Sequence, residues 1–348
     1  MGIQRVRPQF VATNVIAGEK RTDRVVLEAN ADHNSARKAR LEKVVFINDM
    51  TPAQALDAVC DREGVIDIVT EISPADAARV ETSEHAKLVT IEANRVLLGI
   101  FNTWPETGAP FSERPVREAF NWAVDRERIV AEGLGGRGRP LGALTAPWAG
   151  GGSGAEPRAR DAGRARQLLD EVGWPEGRPV TIATPQELEG IARIVADDLE
   201  HALALKTNLL VTPADGVVPA LVELIEKKLT PAWDILIHAW FDLSSDLPPA
   251  VMHREFFGHD GGFRAGPPDP EFDRRFHELV SETDAARAQE AARELDRYCF
   301  DEAKALFLCA PQALYAVNRH VEFTAYKTTF ELAETEVSSQ HWSRRNGE

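Results

Sequence analysis

Short β-branched apolar runs alternate along this chain with segments whose apolar residues recur every three or four positions. Residues 24–31 (RVVLEANA) and 41–48 (LEKVVFIN) are of the first kind and predict two strands, separated by a polar loop holding Asp32 and Asn34. Thr51 followed by Pro52 is a helix-start signal, and helical spacing then runs through residues 53–61 and stops before Gly64. Residues 65–69 read as a strand, Ser73-Pro74 opens a short helix to about Val80, and residues 86–92 and 95–102 predict two further strands. This mixture is the α/β pattern.

A helix is predicted from Arg114-Pro115, capped by Ser112, with Val116, Ala119, Phe120, Ala123 and Val124 forming its apolar stripe. Residues 133–154 (GLGGRGRPLGALTAPWAGGGSG) then turn abruptly rich in Gly and Pro, which marks a crossover or lobe boundary. A phosphate-cradling role for these glycines lacks both the GK[ST] sequence and a strand directly before the run. Beyond it, residues 159–172 predict an amphipathic helix closed by Gly173. Strand 180–183, helix 188–205, strand 209–212 and helix 217–228 follow as two βα units, implying a second sheet domain. Residues 234–239 read as a strand, and the segment from there to Pro268 as an aromatic, Gly-rich loop. Helices are expected over residues 271–280 and 285–304, then an apolar run over 305–317 broken by Pro311. The alternating charges Arg287, Glu290, Arg293, Glu294 and Arg297 read as a solvated helix face.

Length and charge narrow the function classes. At 348 residues the chain is long enough for two compact lobes. Forty basic against 55 acidic side chains leave a net charge of -15, which opposes sequence-independent nucleic-acid binding. Every apolar run is broken by charge well short of the ~18–20 residues a membrane span needs, so a soluble chain is expected. The opening residues MGIQRVRPQF have no apolar segment or small-residue cleavage site of a secretory signal. Cys60, Cys299 and Cys309 form no CxxC pair and read as buried thiols, with a disulfide as the alternative.

Residues 95–130 (RVLLGIFNTWPETGAPFSERPVREAFNWAVDRERIV) carry a recognisable pattern: a strand ending in Phe101-Asn102, a loop, then a helix bearing Val116, Arg117, Ala119, Phe120, Ala123, Val124, Asp125 and Arg126. Gly136, Gly138 and Pro140 follow, and then Ala165, Leu168, Leu169, Gly173, Trp174 and Pro175. Upstream, Gly18-Glu19, Glu28-Ala29-Asn30 and residues 63–68 (EGVIDI) agree in kind. In these positions the chain resembles the family 5 extracellular solute-binding proteins, which serve peptide/nickel-type ABC importers. The resemblance implies an α/β, periplasmic-binding-protein-like two-lobe fold (type II, cluster C-like) lacking the N-terminal part of lobe I. Lobe I would comprise residues 1–138 with a return segment 311–348, and lobe II residues 139–310, with hinges near 133–140 and 309–312.

The same resemblance implies capture of a small-molecule or peptide-like solute between lobes, docking on an ABC permease, and a periplasmic or extracytoplasmic location. A cytoplasmic location follows instead if the absence of a signal peptide is native. Ligand-lining residues are expected just after the strand 234–239: Trp240, Phe241, Asp242 and Asp246. Peptide-binding members carry Trp-x-x-Asp there, whose carboxylate pairs with the ligand's α-amino group. Here the fourth position is Leu243, which cannot accept from an ammonium, and Asp242 is displaced by one. In the bland alternative Trp240 is a core or hinge aromatic and the Asp residues cap the loop. His238, His253 and His259 with Asp260 offer metal-binding side chain types at irregular spacing, so no metal and no cofactor is expected. No GxSxG elbow or local Cys/His set appears, which argues against an enzyme. The competing function is a scaffold or subunit with this fold, binding a protein partner that covers the shortened lobe I.

Overall fold

The structure is a computed structural model that describes residues 10–12, 24–30, 32, 39–149, 152–226, 233–241, 250–325 and 330–345. By compactness the chain divides into two units, Met1–Ile91 with Ala313–Glu348, and Glu92–Gln312.

The first unit opens with strands β1 (Phe10–Ala12), β2 (Arg24–Ala29) and β3 (Lys43–Ile47), which form an antiparallel sheet in that order. Helix α1 (Pro52–Asp61) starts as its sequence predicts. The Thr51 hydroxyl accepts from the Gln54 amide while the Gln54 side chain accepts from the Thr51 amide, a reciprocal capping box with Pro52 preset for the first turn. The strand expected over residues 65–69 is confined to β4 (Ile68–Val69), and α2 (Ala77–Thr82) and β5 (Ala86–Ile91) follow.

The second unit begins with β6 (Arg95–Phe101) and α3 (Arg114–Ala123), followed by the helical turn α4 (Arg126–Arg128), which runs into a π-helical turn over Ile129–Gly133. Then come β7 (Gly138–Pro140), α5 (Ala162–Val172), β8 (Val180–Pro185), α6 (Glu189–Leu203), β9 (Thr207–Thr212), α7 (Val217–Ile225) and β10 (Ile235–Phe241). The unit ends with α8 (Ala250–Phe257), α9 (Pro270–Ser281), α10 (Ala285–Asp301) and β11 (Ala305–Pro311). The chain then re-enters the first unit. There β12 (Ala313–Asn318) lies between β4 and β5, β13 (Val321–Ala325) pairs with β14 (Phe330–Val337), and α11 (Trp342–Arg345) closes the described chain.

Among the described residues the second unit holds one mixed sheet in the order β7-β11-β6-β10-β8-β9. Its central strands are buried on both faces, and the alternation of side chains sorts them. Leu97 and Phe101 of β6, Ile235 and Ile237 of β10, and Leu306 of β11 join the core under α3, α5 and α6. Val96, Leu98 and Ile100 of β6 and Phe307 of β11 join the core under α8, α9 and α10. Two-sided burial is why these strands read as nearly unbroken apolar runs. It also dictates Gly99, where a Cβ would approach Ile235 Cγ2 to 2.7 Å and Leu306 Cβ to 3.1 Å.

The central place of β6 moves the first divide. Residues 92–138, expected with lobe I, group with 139–312, because β6 pairs along its length with β10 and β11. The Gly/Pro-rich run 133–154, expected as a boundary, lies within the second unit. Its residues 138–140 extend the sheet beside β11, and Leu141 and Leu144 are buried. Gly173 ends α5 as predicted, at a φ of 90° that an L side chain resists. Among the described residues no helix is long and apolar enough to cross a membrane.

Candidate functional site

The signature stretch is built into the core. Glu113, without a side-chain hydrogen bond, occupies the N-cap of α3, so Ser112 is not the cap; its carbonyl instead accepts from Arg117 Nη1 at 2.8 Å. Arg117 also donates to the carbonyls of Phe111, Glu302 and Ala303. Arg126 is 3% exposed and donates to the carbonyls of Phe307 (2.7 Å), Asn121 (2.9 Å) and Arg158 (2.8 Å), and to Asn121 Oδ1 (2.9 Å). Asn121 in turn donates to the Ala305 carbonyl at 2.9 Å. Burial, reinforced by the nearby Arg158 charge, pulls Arg126 down to about 9, still well above neutrality. Through backbone carbonyls the buried Arg126 guanidinium thus stitches α4 to β11, and that of Arg117 ties α3 to the turn just before β11. Phe101, Phe111, Phe120 and Trp174 interlock beside them, with Phe101 stacked 4.8 Å from Phe111. These motif positions hold the fold.

Of the four expected ligand-lining residues, the structure places Trp240, and of Phe241 only the backbone. Both lie inside β10, not in the loop after it: Trp240 is in register with Val96 and Phe241 with Arg95. The strand runs two residues further than predicted because β6 offers pairing partners to its end. Asp242 and Asp246, with Leu243, fall outside the described residues.

The Trp240 indole is 9% exposed and is held by Phe263 (centroids 4.3 Å), Phe256 (4.7 Å) and His238 (4.8 Å). Phe256 comes from α8, which falls within the segment expected as loop because its eight residues are too short for a helical period to stand out between Gly- and Pro-rich stretches. The indole Nε1–H is buried and has no hydrogen-bond partner among the described residues. His238 keeps a ring nitrogen 2.7 Å from the Ala239 carbonyl, and burial lowers its pKa, so the neutral ring prevails at pH 7. The arrangement is an aromatic wall on the last residues of a central strand.

The remaining titratable clusters are committed to structure. Asp296 of α10 is fully buried and accepts from His253 Nε2 (3.0 Å) and from the amides of Leu144 (3.0 Å), Thr145 (3.2 Å) and Ser153 (2.9 Å). Burial alone would raise its pKa, but the His253 and Ser153 contacts outweigh it and hold the carboxyl below its usual range. Asp234 clasps Arg178 through two bonds of 2.6 and 2.9 Å. His259 and Asp260 contact Asp273 and Arg254, so the four side chains raised as metal-ligand types do not converge; among the described residues no group of three or more metal-ligating side chains does.

In the first unit Ser343, His341 and Asp67 stand in a row, with Ser343 Oγ 2.8 Å from Nδ1 of His341 and Asp67 Oδ1 2.9 Å from its Nε2. The Ser343 amide also donates to Nδ1, and the Trp342 indole to Asp67, which is a capping clasp on α11 and not the opening of an attacking hydroxyl. All three cysteines are free and buried, as expected. The pairings of Asp296 with His253, Asp234 with Arg178, and Asp67 with His341 and Trp342 span 43 to 275 positions in sequence and leave no local sequence signal.

The model for the middle part of the bacterial extracellular solute-binding proteins, family 5, matches residues 15–261, more than half of the chain. The glutathione-binding protein GsiB of Salmonella typhimurium is 33% identical over 76 residues, which cover 22% of this chain and 15% of that protein. Among solved structures, the ABC transporter substrate-binding protein CtaP of Listeria monocytogenes superposes with a TM-score of 0.79 at 18% identity, over 94% of this chain and 66% of that one. The oligopeptide-binding protein AppA of Bacillus subtilis, in complex with a nonapeptide, gives a TM-score of 0.72 at 19% identity, over 95% and 66% of the two chains. These likenesses show the fold: a mixed α/β, substrate-binding-protein architecture. The chain spans about two thirds of the length of the solved relatives and a much smaller share of the curated one.

Proposed function

The chain belongs to the bacterial extracellular solute-binding proteins of family 5, and from that premise we propose that it captures a small peptide-like solute, without chemical turnover, for the permease of an ABC importer. The observation that carries the reading is Trp240: a large indole in contact with three rings, with its N–H unpaired among the described residues, two positions before Asp242 and six before Asp246 in sequence. Such a wall recognises by burial and one directed donor, which suits binding better than bond-breaking. The relatives favour peptide-like solutes over other classes, since one is named for glutathione and another is in complex with a nonapeptide. A place of work outside the cytoplasm belongs to the same proposal.

The test is thermal unfolding with glutathione, a dipeptide and tripeptide panel, and a nickel–histidine chelate. A ligand that binds only the folded chain at 100 times its Kd adds about 2.7 kcal/mol of stability. A rise in Tm with glutathione or a short peptide is expected, reduced in Trp240→Phe and lost in Trp240→Ala. A folded protein that none of these solutes shifts at millimolar concentration overturns capture. Hinge motion is proposed at the two chain crossovers, Ile91–Glu92 and Gln312–Ala313, in place of the earlier positions near 133–140 and 309–312. An unchanged radius of gyration on saturation by a bound ligand would sink that part.

A further inference from the structure

Helix α10 turns a charged flank toward an open groove of about 370 Å³, lined by Arg275, Glu290, Arg293, Glu294, Arg297 and Tyr298 among others. Residues 290, 293, 294 and 297 recur at helical spacing, so they form one stripe along the helix. All four are exposed, while Ala292, Leu295, Asp296 and Cys299 bury the opposite side. Within the chain Arg293 meets Glu290 at 3.1 Å, yet 45% and 60% of these two side chains stay exposed, which leaves both open to further partners. The four charges sum to zero in a chain of net charge -15, so the stripe is a locally neutral place on an acidic molecule.

The order of signs along the stripe is acid, base, acid, base. Read from the other end it is base, acid, base, acid, so the stripe complements its own reverse. We propose that this face joins two copies of the chain in a two-fold dimer, with the α10 helices antiparallel and centred between Arg293 and Glu294. In that register Glu290 of each copy faces Arg297 of the other, and Arg293 of each faces Glu294 of the other. Asp301 comes opposite Ala286 of the other copy, beside Arg287, which carries the alternation toward the helix ends. A small anion is a poorer occupant, because Glu290 and Glu294 line the same groove as the arginines. An anionic lipid surface requires a net positive charge that the stripe lacks. A different protein would need the reversed sign order by coincidence, whereas a second copy has it by identity. Exposed charge pairs are individually weak, so the association is modest and sensitive to salt. Pairing of this kind is independent of solute capture.

Charge reversal reads the register directly. The parent chain is expected to dimerise in sedimentation-velocity runs taken to about 1 mM chain at low salt. The dimer should weaken as salt rises toward about 1 M, where the screening length falls to ~3 Å. Glu290→Arg sets an arginine against Arg297 of the other copy twice per dimer, and Arg297→Glu sets a glutamate against Glu290. Each variant alone is expected to weaken dimerisation by at least about tenfold, with an unfolding midpoint like the parent's because the positions are exposed. An equimolar mixture of the two variants restores the dimer, since each complements the other. A parent that stays monomeric, single reversals that dimerise like the parent, or a mixture that fails to associate overturns the proposal. If either reversal unfolds the chain, Arg293→Glu and Glu294→Arg supply the same opposed pair and decide it.

Discussion

Arginines crowd two stretches of the second unit, and their surroundings are opposite. On α9, Arg274 lies between Glu271 (2.7 Å) and Glu278 (2.5 Å), and Arg275 reaches Glu271 at 2.6 Å, all on a wet surface. Those arginines hold the Glu271 carboxyl down at about 2. On α3 and α4, Arg117 and Arg126 have no carboxylate partner among the described residues, yet backbone carbonyls take most of the donors they own. The surface pairs gain little, because water competes for each charge and long side chains must be ordered to meet. The buried guanidiniums satisfy backbone carbonyls in a dry core, so losing one takes a donor from several acceptors at once. Counting ion pairs would rank the two regions in the wrong order.

Replacing Arg126 breaks the comparison most directly. Arg126→Lys keeps a charge but cannot span the Phe307, Asn121 and Arg158 carbonyls with one ammonium, and we expect a loss of about 3 kcal/mol or more in urea unfolding. A loss below 1 kcal/mol would show that the stitch to β11 is dispensable. Next in size, Asp296→Asn should cost about 2–3 kcal/mol at pH 7, since the new amide brings donors toward a cluster of donors. The same residue carries a pH signature. Its folded carboxyl titrates below the ordinary value near 4, so the unfolded chain binds the proton first as pH falls. The stabilisation is therefore complete above about pH 4 to 5 and drains away below it. Asp296→Asn is predicted to flatten that acid limb in a pH series of denaturation midpoints, and an unchanged limb would assign it to other carboxyls.

Smaller still is Thr51→Ala, which removes one side of the capping box on α1 for about 1 kcal/mol. At the bottom, Arg274→Ala is expected to leave Tm unchanged within error, at low salt and high. A drop in Tm comparable to that of Arg126→Lys would refute the contrast between the two arginine groups.

Local periodicity and punctuation made much of the architecture legible. The start of α1, the stop of α5 at Gly173, the strand at 95–102, the apolar run at 305–317, and the βα alternation of residues 180–225 are set by neighbours a few positions apart. The residues carrying the family pattern were legible too, though not what they do: Arg117 and Arg126 read as polar points on a helix and prove to be core fasteners. The candidate site was legible only in part. Trp240 could be singled out, but its strand position and its three ring contacts depend on β6, α8 and Phe263.

What the sequence by itself determined is the α/β class, the family, most helix limits, and the buried thiols, because short-range sterics and hydrophobic spacing are local properties. Only the tertiary structure decided that residues 92–138 join the second unit, that the Gly-rich run 138–144 enters its sheet and core, and that Asp296 meets His253. Each of those outcomes is a pairing across tens or hundreds of residues. Burial and hydrogen-bond satisfaction select such partners among the whole chain, and no window of neighbouring residues contains that choice.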